Sequence, residues 1–356
     1  MTQPPPRIAV VLPRNMHFGP EAATSIDLCA RDFVSASRYR TSTTVIAERV
    51  DAPFAGFDLK MYPKGDRAAL RQAIAEVAPD LIVMHSHVPT GVRIARQFPR
   101  VPVIVHRHNY IKPPSNPFSA LRHRWRFHRL AGLIFVSHSC EDHFTGHWRG
   151  VRTPTFTVYN ALDMGDWHPR EAREKVIAYT GRAHPLKGGI ELAEALSTVL
   201  AERPDWSAHL LVSRAEVHPE IVEAMRDAVA PVADRVRLET NRPFAEVVSL
   251  LTSAAVAVVP TLNDEPFGRA ALEAMAGGAA LVSSMNGGLA EVSGDTGLSV
   301  APMGVDALAT AIARVADDDA LREDLARRGR ERALELYDIH PVTRSLDDVY
   351  DRVLAR

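Results

Sequence analysis

The chain has 356 residues, 46% hydrophobic and 24% charged, with a formal net charge of −1. That is ordinary for a soluble globular protein, long for one core and comfortable for two domains. No apolar run approaches the roughly 18 residues that cross a bilayer, and Met1 to Arg7 lacks the apolar centre of a secretory signal, so a cytoplasmic protein is expected.

Strand and helix patterns alternate along the whole sequence, the sign of parallel sheets. In the first half, strands are expected at Arg7–Leu12, Thr43–Ala47, Asp80–Met84, Val101–His106, Gly132–Val136 and Thr155–Val158. Helices are expected at Glu21–Ser37, Asp66–Val77 and Phe118–Leu130. His85, His87, His106 and His108 sit at the ends of two of these strands and could converge. Imidazoles suit zinc, but no acid or cysteine stands at ligand spacing nearby, so no metal is expected. The two cysteines, Cys29 and Cys140, also lack metal spacing and are expected to be reduced and packed as small apolar residues.

Charge is unevenly spread. Residues 1–163 hold 21 Lys and Arg against 12 Asp and Glu, while the remainder holds 21 against 31. The densest basic stretch, Leu121 to Leu130, carries Arg122, Arg124, Arg126 and Arg129 with Trp125 and Phe127 and no acid. On a helix this suits an anionic membrane surface; the alternatives are a solvated face, or Trp125 and Phe127 in the core. Nucleic acid is not expected as a partner, because the acidic second half would repel a duplex.

Asn160 to Pro169 interrupts the alternation with Asn, Gly and Pro and reads as a linker. It gives domains at 1–163 and 164–340. The second series has strands at Lys175–Tyr179, Ser207–Val212, Val236–Glu239, Ala254–Val259, Ala279–Ser283 and Gly297–Val300. A helix is expected at Ile190–Leu200, and three more fill the C-terminal end, at Val305–Ala316, at Ala320–Leu336 and after Pro341.

The chemistry concentrates in this second series. Thr180-Gly-Arg182-Ala-His-Pro-Leu-Lys187-Gly-Gly follows a strand and offers two cations at a strand-to-helix loop, as a diphosphate requires. Glu265-Pro-Phe-Gly-Arg-Ala-Ala-Leu-Glu273 leaves the buried run Ala254–Val259. A helix starting at Pro266 would put two acids about two turns apart, so both could face one ligand beside the helix-start amides. Amide donors suit phosphate oxygens and carboxylates suit sugar hydroxyls. Asn286-Gly-Gly-Leu-Ala-Glu291 makes a second tight turn before a short helix.

The E-x7-E pattern Glu265 to Glu273, preceded by the Arg-x4-Lys pair Arg182 to Lys187, resembles the retaining glycosyltransferases of family four over nearly the whole chain. The resemblance implies an α/β fold of the GT-B type, with two Rossmann-like domains facing a central cleft and a C-terminal helix, residues 341–356, that crosses back from Pro341 to pack on the first. It implies that Glu265 meets the donor sugar, that Glu273 meets the nucleotide ribose, and that Arg182 and Lys187 hold the diphosphate. Phe267, Gly268 and Arg269 would complete the donor site, and His108, six residues after Pro102, would meet the donor sugar. In the loop after the first strand, Gly19 stands where the family usually has two or more glycines, and Phe18, Glu21 and Thr24 either shape an acceptor pocket or form a plain turn and cap. No metal or other cofactor is implied. The expected reaction is transfer from a nucleotide sugar, UDP favoured over GDP, to a lipid-linked or cell-envelope glycan, on the inner face of the cytoplasmic membrane. The rivals are a nucleotide-sugar 2-epimerase on the same architecture and a transferase using a small soluble acceptor.

Overall fold

The computed structural model describes residues 4–16, 18–20 and 24–356. They form two compact units, residues 1–162 with 339–356 and residues 163–338.

The first unit is built on strands β1 (Ile8–Val11), β2 (Thr43–Glu48), β3 (Asp58–Tyr62), β4 (Leu81–His85), β5 (Val103–Arg107), β6 (Gly132–Phe135) and β7 (Thr155–Thr157), in the order β3-β2-β1-β4-β5-β6-β7. Every pairing is parallel. The inner strands are continuously apolar because helices cover both faces, and β1, β4 and β6 are buried throughout. The connecting helices are α1 (Ser25–Ala36), α2 (Arg67–Val77), α3 (Val88–Gln97), α4 (Pro117–Phe127) and α5 (His138–His147). β3, α3 and α5 are not among the expected elements, although α3 is clearly amphipathic.

The second unit repeats the plan with β8 (Glu174–Arg182), β9 (Ser207–Ser213), β10 (Val236–Thr240), β11 (Ala254–Val259), β12 (Ala280–Ser283) and β13 (Gly297–Ser299), ordered β10-β9-β8-β11-β12-β13. Its helices are α6 (Gly189–Ala201), α7 (Pro219–Val229), α8 (Phe244–Ser253), α9 (Arg269–Gly277), α10 (Gly288–Ser293), α11 (Val305–Asp317) and α12 (Asp319–Tyr337). In both sheets the order turns back beside the first strand of the unit, between β1 and β4 and between β8 and β11. Ligands of open α/β sheets bind beyond the strand ends at that point.

Residues 160–169 are not an exposed tether. Asn160, Ala161 and Leu162 are buried in the first unit, and Met164 and Trp167 are buried in the second. The last helix, α13 (Ile339–Leu354), begins two residues before Pro341, which the first helical turn tolerates because its missing N–H would have no helical partner there. Ile339, Val342, Leu346, Val349, Tyr350 and Val353 follow helical spacing and join the core of the first unit.

One polar contact fixes α13 against α1. Asp347, 1% exposed, accepts hydrogen bonds from Ser37 Oγ at 2.6 Å and the Arg38 backbone N–H at 3.0 Å. Replacing Asp347 by Ala leaves both donors unpaired and is expected to cost about 1–3 kcal/mol. A urea titration should show the loss as an earlier midpoint for the first unit; an unmoved midpoint would remove Asp347 from its stability.

Candidate functional site

The second unit gathers three loops at its switch point. β8 ends at Arg182, which is exposed and has no ion-pair partner among the described residues. The chain then tightens into a turn in which His184 Nδ1 accepts from Leu186 N at 3.1 Å and Lys187 N donates to the His184 carbonyl at 3.0 Å. Gly188 closes it with φ +69°, and a Cβ there would lie 1.9 Å from the Pro260 carbonyl oxygen. Only glycine permits that approach to the strand beside it.

The loop after β11 is bound to this turn and to the loop after β12. Leu262 N donates to the Leu186 carbonyl at 3.0 Å, and Gly288 N to the Glu265 carbonyl at 2.7 Å. Asn286 Nδ2 donates to the Thr261 carbonyl at 3.3 Å, and Glu265 forms a parallel bridge with Gly287. The result brings Lys187 Nζ to 2.5 Å from Glu265 Oε2, with each side chain 19% exposed. The cation of one motif is thus paired with the first acid of the other.

The E-x7-E segment departs from its expected geometry. α9 starts at Arg269, not Pro266, with Gly268 as N-cap at φ 99°. A Cβ on Gly268 would lie 2.7 Å from Leu289, so the chain turns into the helix through a conformation and a space that favour glycine. Glu265 therefore stands outside the helix, and the two-turn argument for the pair fails. Glu273 is buried and accepts from Arg269 Nε at 2.8 Å, both side chains being 9% exposed. Phe267 is buried edge-on against Tyr337, with ring centroids 5.8 Å apart. Arg182, expected in a loop, is the last residue of β8.

In the first unit, three of the four histidines converge. The rings of His85, His106 and His108 have centroids 4.6–5.1 Å apart and lie within 16–35° of parallel. His85 Nδ1 and His108 Nε2 share a hydrogen bond at 3.0 Å. Their ligand nitrogens fall within 4.8 Å of one another. Near-parallel rings aim those nitrogens along similar directions, whereas a metal needs lone pairs that meet. Burial holds all three neutral, pushing His85 down to about 4 and His106 and His108 well below the ordinary histidine value. His106 is fully buried and neither of its ring nitrogens has a hydrogen-bond partner among the described residues. His87 stands apart, capping α3 by accepting from Thr90 N.

The loop after β1 corrects three expectations. Phe18 is fully buried, edge-on to Phe54 and Phe57, so its side chain is core and not a pocket wall. Gly19 makes room for the Ala52 carbonyl, which a Cβ would meet at 2.2 Å, so its close approach is to this chain's own backbone. Thr24 caps α1 in a reciprocal box with Asp27, the plain-cap alternative. Helix α1 starts at Ser25, and Glu21 lies outside the described residues.

α4 places its arginines unequally. Arg122 and Arg129 are exposed, whereas Arg124 and Arg126 are half-buried and Arg124 donates to the Gly150 carbonyl at 3.0 Å. Phe127 is buried against Phe144 and Trp148. On the opposite side Phe118, Leu121 and Trp125 are 86%, 65% and 54% exposed. Their i, i+3, i+7 spacing makes one stripe. Arg129 and Arg96 lie over the Trp125 ring, at 4.4 and 5.2 Å. The sequence reading saw the basic residues and missed the stripe, although its spacing was there to find.

The sequence pattern described as Glycosyl transferases group 1 matches residues 174–318, and that described as Glycosyltransferase Family 4 matches residues 25–165. The chain belongs to glycosyltransferase family 4. It is 30% identical over 233 residues to the glycogen synthase of Mycobacterium tuberculosis, covering 64% of this chain and 55% of that one. It is 32% identical over 191 residues to the phosphatidyl-myo-inositol mannosyltransferase of Mycolicibacterium smegmatis, covering 53% and 47%. This family 4 chain thus spans about half the length of these relatives. HepE of Anabaena, solved with UDP and glucose, has the same fold at a TM-score of 0.79 and 19% identity, over 97% of this chain and 100% of that one. The fold is the GT-B class of two Rossmann-like domains.

The histidine stack makes stability pH-dependent. Below about pH 6.5 the unfolded chain takes up protons that the folded chain refuses, so stability falls as pH drops from there towards 4, by up to about 1.4 kcal/mol per unit for each histidine. His106→Phe, set beside Phe33 with ring centroids now 5.6 Å apart, removes two unpaired polar atoms. It should fold with near-native stability at pH 7 and lose less on acidification, read as urea midpoints at pH 7 and pH 5. An unchanged acid slope would remove His106 from the effect.

Proposed function

We propose that this protein transfers a sugar from a nucleoside diphosphate sugar, UDP-linked, to a glycan or glycolipid acceptor, with retention at the anomeric carbon. The observation that carries the reading is the Lys187–Glu265 pair at the switch point, beside the exposed Arg182 and the start of α9. A diphosphate entering there would draw Lys187 away from Glu265, leaving the carboxylate to take sugar hydroxyls. Front-face attack fits this set of residues. The leaving diphosphate accepts the acceptor's proton while Arg182, Lys187 and the amides at Gly268 and Arg269 stabilise its charge. Glu273, locked by Arg269, would bind the nucleotide ribose, and neutral His108 would meet the donor sugar. The scheme uses no metal, since the two cations carry the charge. HepE, whose structure was solved with UDP and glucose, supports the choice of UDP.

Lys187→Ala should lower turnover by roughly 10²–10³, the scale for losing one preorganised charge stabiliser. Release of nucleoside diphosphate from a panel of nucleotide sugars measures it; near-native turnover would take Lys187 out of the mechanism. Incubation with donor alone separates the 2-epimerase rival, which would make a new sugar nucleotide without acceptor.

The acceptor reading is a lipid-linked or cell-envelope glycan reached from the cytoplasmic face. It is supported by the α4 stripe, whose apolar face points away from the unit's core with Arg122 and Arg129 beside it. The mannosyltransferase relative is named for a phosphatidylinositol acceptor. Each large apolar side chain that leaves water contributes roughly 1.5–3 kcal/mol, and each arginine near an anionic surface about 1 kcal/mol. Sedimentation with anionic vesicles should therefore fall more for Phe118→Ser with Leu121→Ser and Trp125→Ser than for Arg122→Gln with Arg129→Gln. Equal partition to anionic and neutral vesicles, unmoved by either set, would favour a small soluble acceptor.

A further inference from the structure

The first unit has arginines without carboxylate partners among the described residues outside α4 as well. The loop after β1, the turn after β3 and the first turns of α3 enclose a cavity of about 140 Å³, lined by Arg14, Tyr62, Arg67, His87, Thr90 and Arg93 among others. It opens at the C-terminal edge of the sheet, the edge that also carries His85 and His108. A water fills about 30 Å³ of liquid, so the space is ample for a tetrahedral oxyanion.

Arg14, Arg67 and Arg93 line it beside a single acid, Asp66; Arg14 and Arg67 are exposed, and none of the three arginines has a carboxylate partner among the described residues. Arg93 is half-buried and donates to Thr90 Oγ1 at 2.8 Å. The nearby acids are committed to the backbone. Glu48, 4% exposed, accepts from Asn15 N at 2.9 Å and Gly65 N at 2.8 Å, shaping two of the loops that form the wall. Asp66 caps α2 by accepting from Ala68 N and Ala69 N, each at 2.9 Å. Burial first, then repulsion from Arg67 and Arg14, lowers the pKa of Arg93. His87 shifts down as well, through burial and then the charges of Arg14, Arg107 and Arg93. Like charges held round one cavity repel, and the positive end of α3 adds to them. An anion resolves that repulsion, and forked guanidinium donors match phosphate oxygens.

We propose that Arg14, Arg67 and Arg93 form a phosphate subsite, and that the acceptor used by this protein carries a phosphoryl group there. The acceptor half of this rests on the transferase reading; the subsite itself does not. The phosphoryl group comes from either a soluble sugar phosphate or a lipid headgroup.

The test begins with inorganic phosphate and the full chain at constant ionic strength, followed by titration calorimetry. The variant Arg14→Gln with Arg67→Gln and Arg93→Gln should weaken phosphate binding at least about tenfold, the scale for losing hydrogen bonds between charged groups. The same variant should keep its affinity for UDP, which also reports that it is folded. Arg182→Gln with Lys187→Gln should do the reverse. Phosphate affinity unchanged in the triple variant, or lost only in the Arg182 and Lys187 variant, overturns the subsite. A failure of UDP to bind, with phosphate still dependent on the three arginines, sinks the transferase reading and leaves the subsite standing. The source is read in two further arms. A preference for glucose 6-phosphate over glucose that the triple variant abolishes identifies a soluble acceptor. A preference for phosphatidylcholine vesicles containing phosphatidylinositol over plain ones, abolished likewise, identifies a headgroup. If neither preference depends on the three arginines, the phosphorylated-acceptor proposal is overturned.

Discussion

The second unit depends on how closely two neighbouring strand ends can approach. At Gly188 the backbone passes so near the Pro260 carbonyl that no side chain fits, and the turn carrying Lys187 is pressed against the end of β11. Once that contact is made, Leu186 accepts from Leu262, and Glu265 is tied through backbone bonds to Asn286 and Gly288. The ion pair is the outcome of this stitching, not its cause. A lysine and a glutamate 78 positions apart meet because backbone hydrogen bonds bring the loops that carry them side by side.

Much of this was legible in the sequence. Continuous apolar runs such as Ala254–Val259 marked inner strands, because a parallel sheet covered on both faces needs no polar alternation. The cationic and acidic motifs were visible at the strand ends, and the GT-B class was implied by their resemblance to family four. What escaped was set by tertiary contact. β3 alternates weakly because it is an edge strand with only one buried residue. The start of α9 was misplaced because Pro266 suits a first turn by local preference. The actual start is decided by Gly268 packing against Leu289, 21 residues further along the chain and invisible to a local rule.

The same division holds in the first unit. Its histidines were recognisable as a cluster, but spacing alone could not tell a chelating arrangement from a stack; ring orientation does. Phe18 looked like a pocket residue because it sits in a loop, and loops usually lie on the surface. Two further phenylalanines close over it from residues 54 and 57, and that convergence has no sequence signature. Arginines likewise advertise charge without saying which are already engaged: Arg124 donates to a backbone carbonyl and Arg93 to Thr90, while Arg14 and Arg67 have no acid partner among the described residues.

The placement of α13 has a consequence for the order in which the protein is made. The first unit lacks its final helix until residues 339–356 have been synthesised, after the whole of the second unit. Until then α1 presents the face that α13 will cover, and the apolar core residues Phe33 and Val34 belong to an incomplete layer. A ribosome adding about 5–20 residues per second needs roughly 9–35 seconds for the intervening 176 residues. During that interval the strands of the second unit emerge in turn, from β8 to β13, while the first unit waits with an uncovered apolar surface. The first unit, whose chain begins first, is therefore completed only after the second has been made.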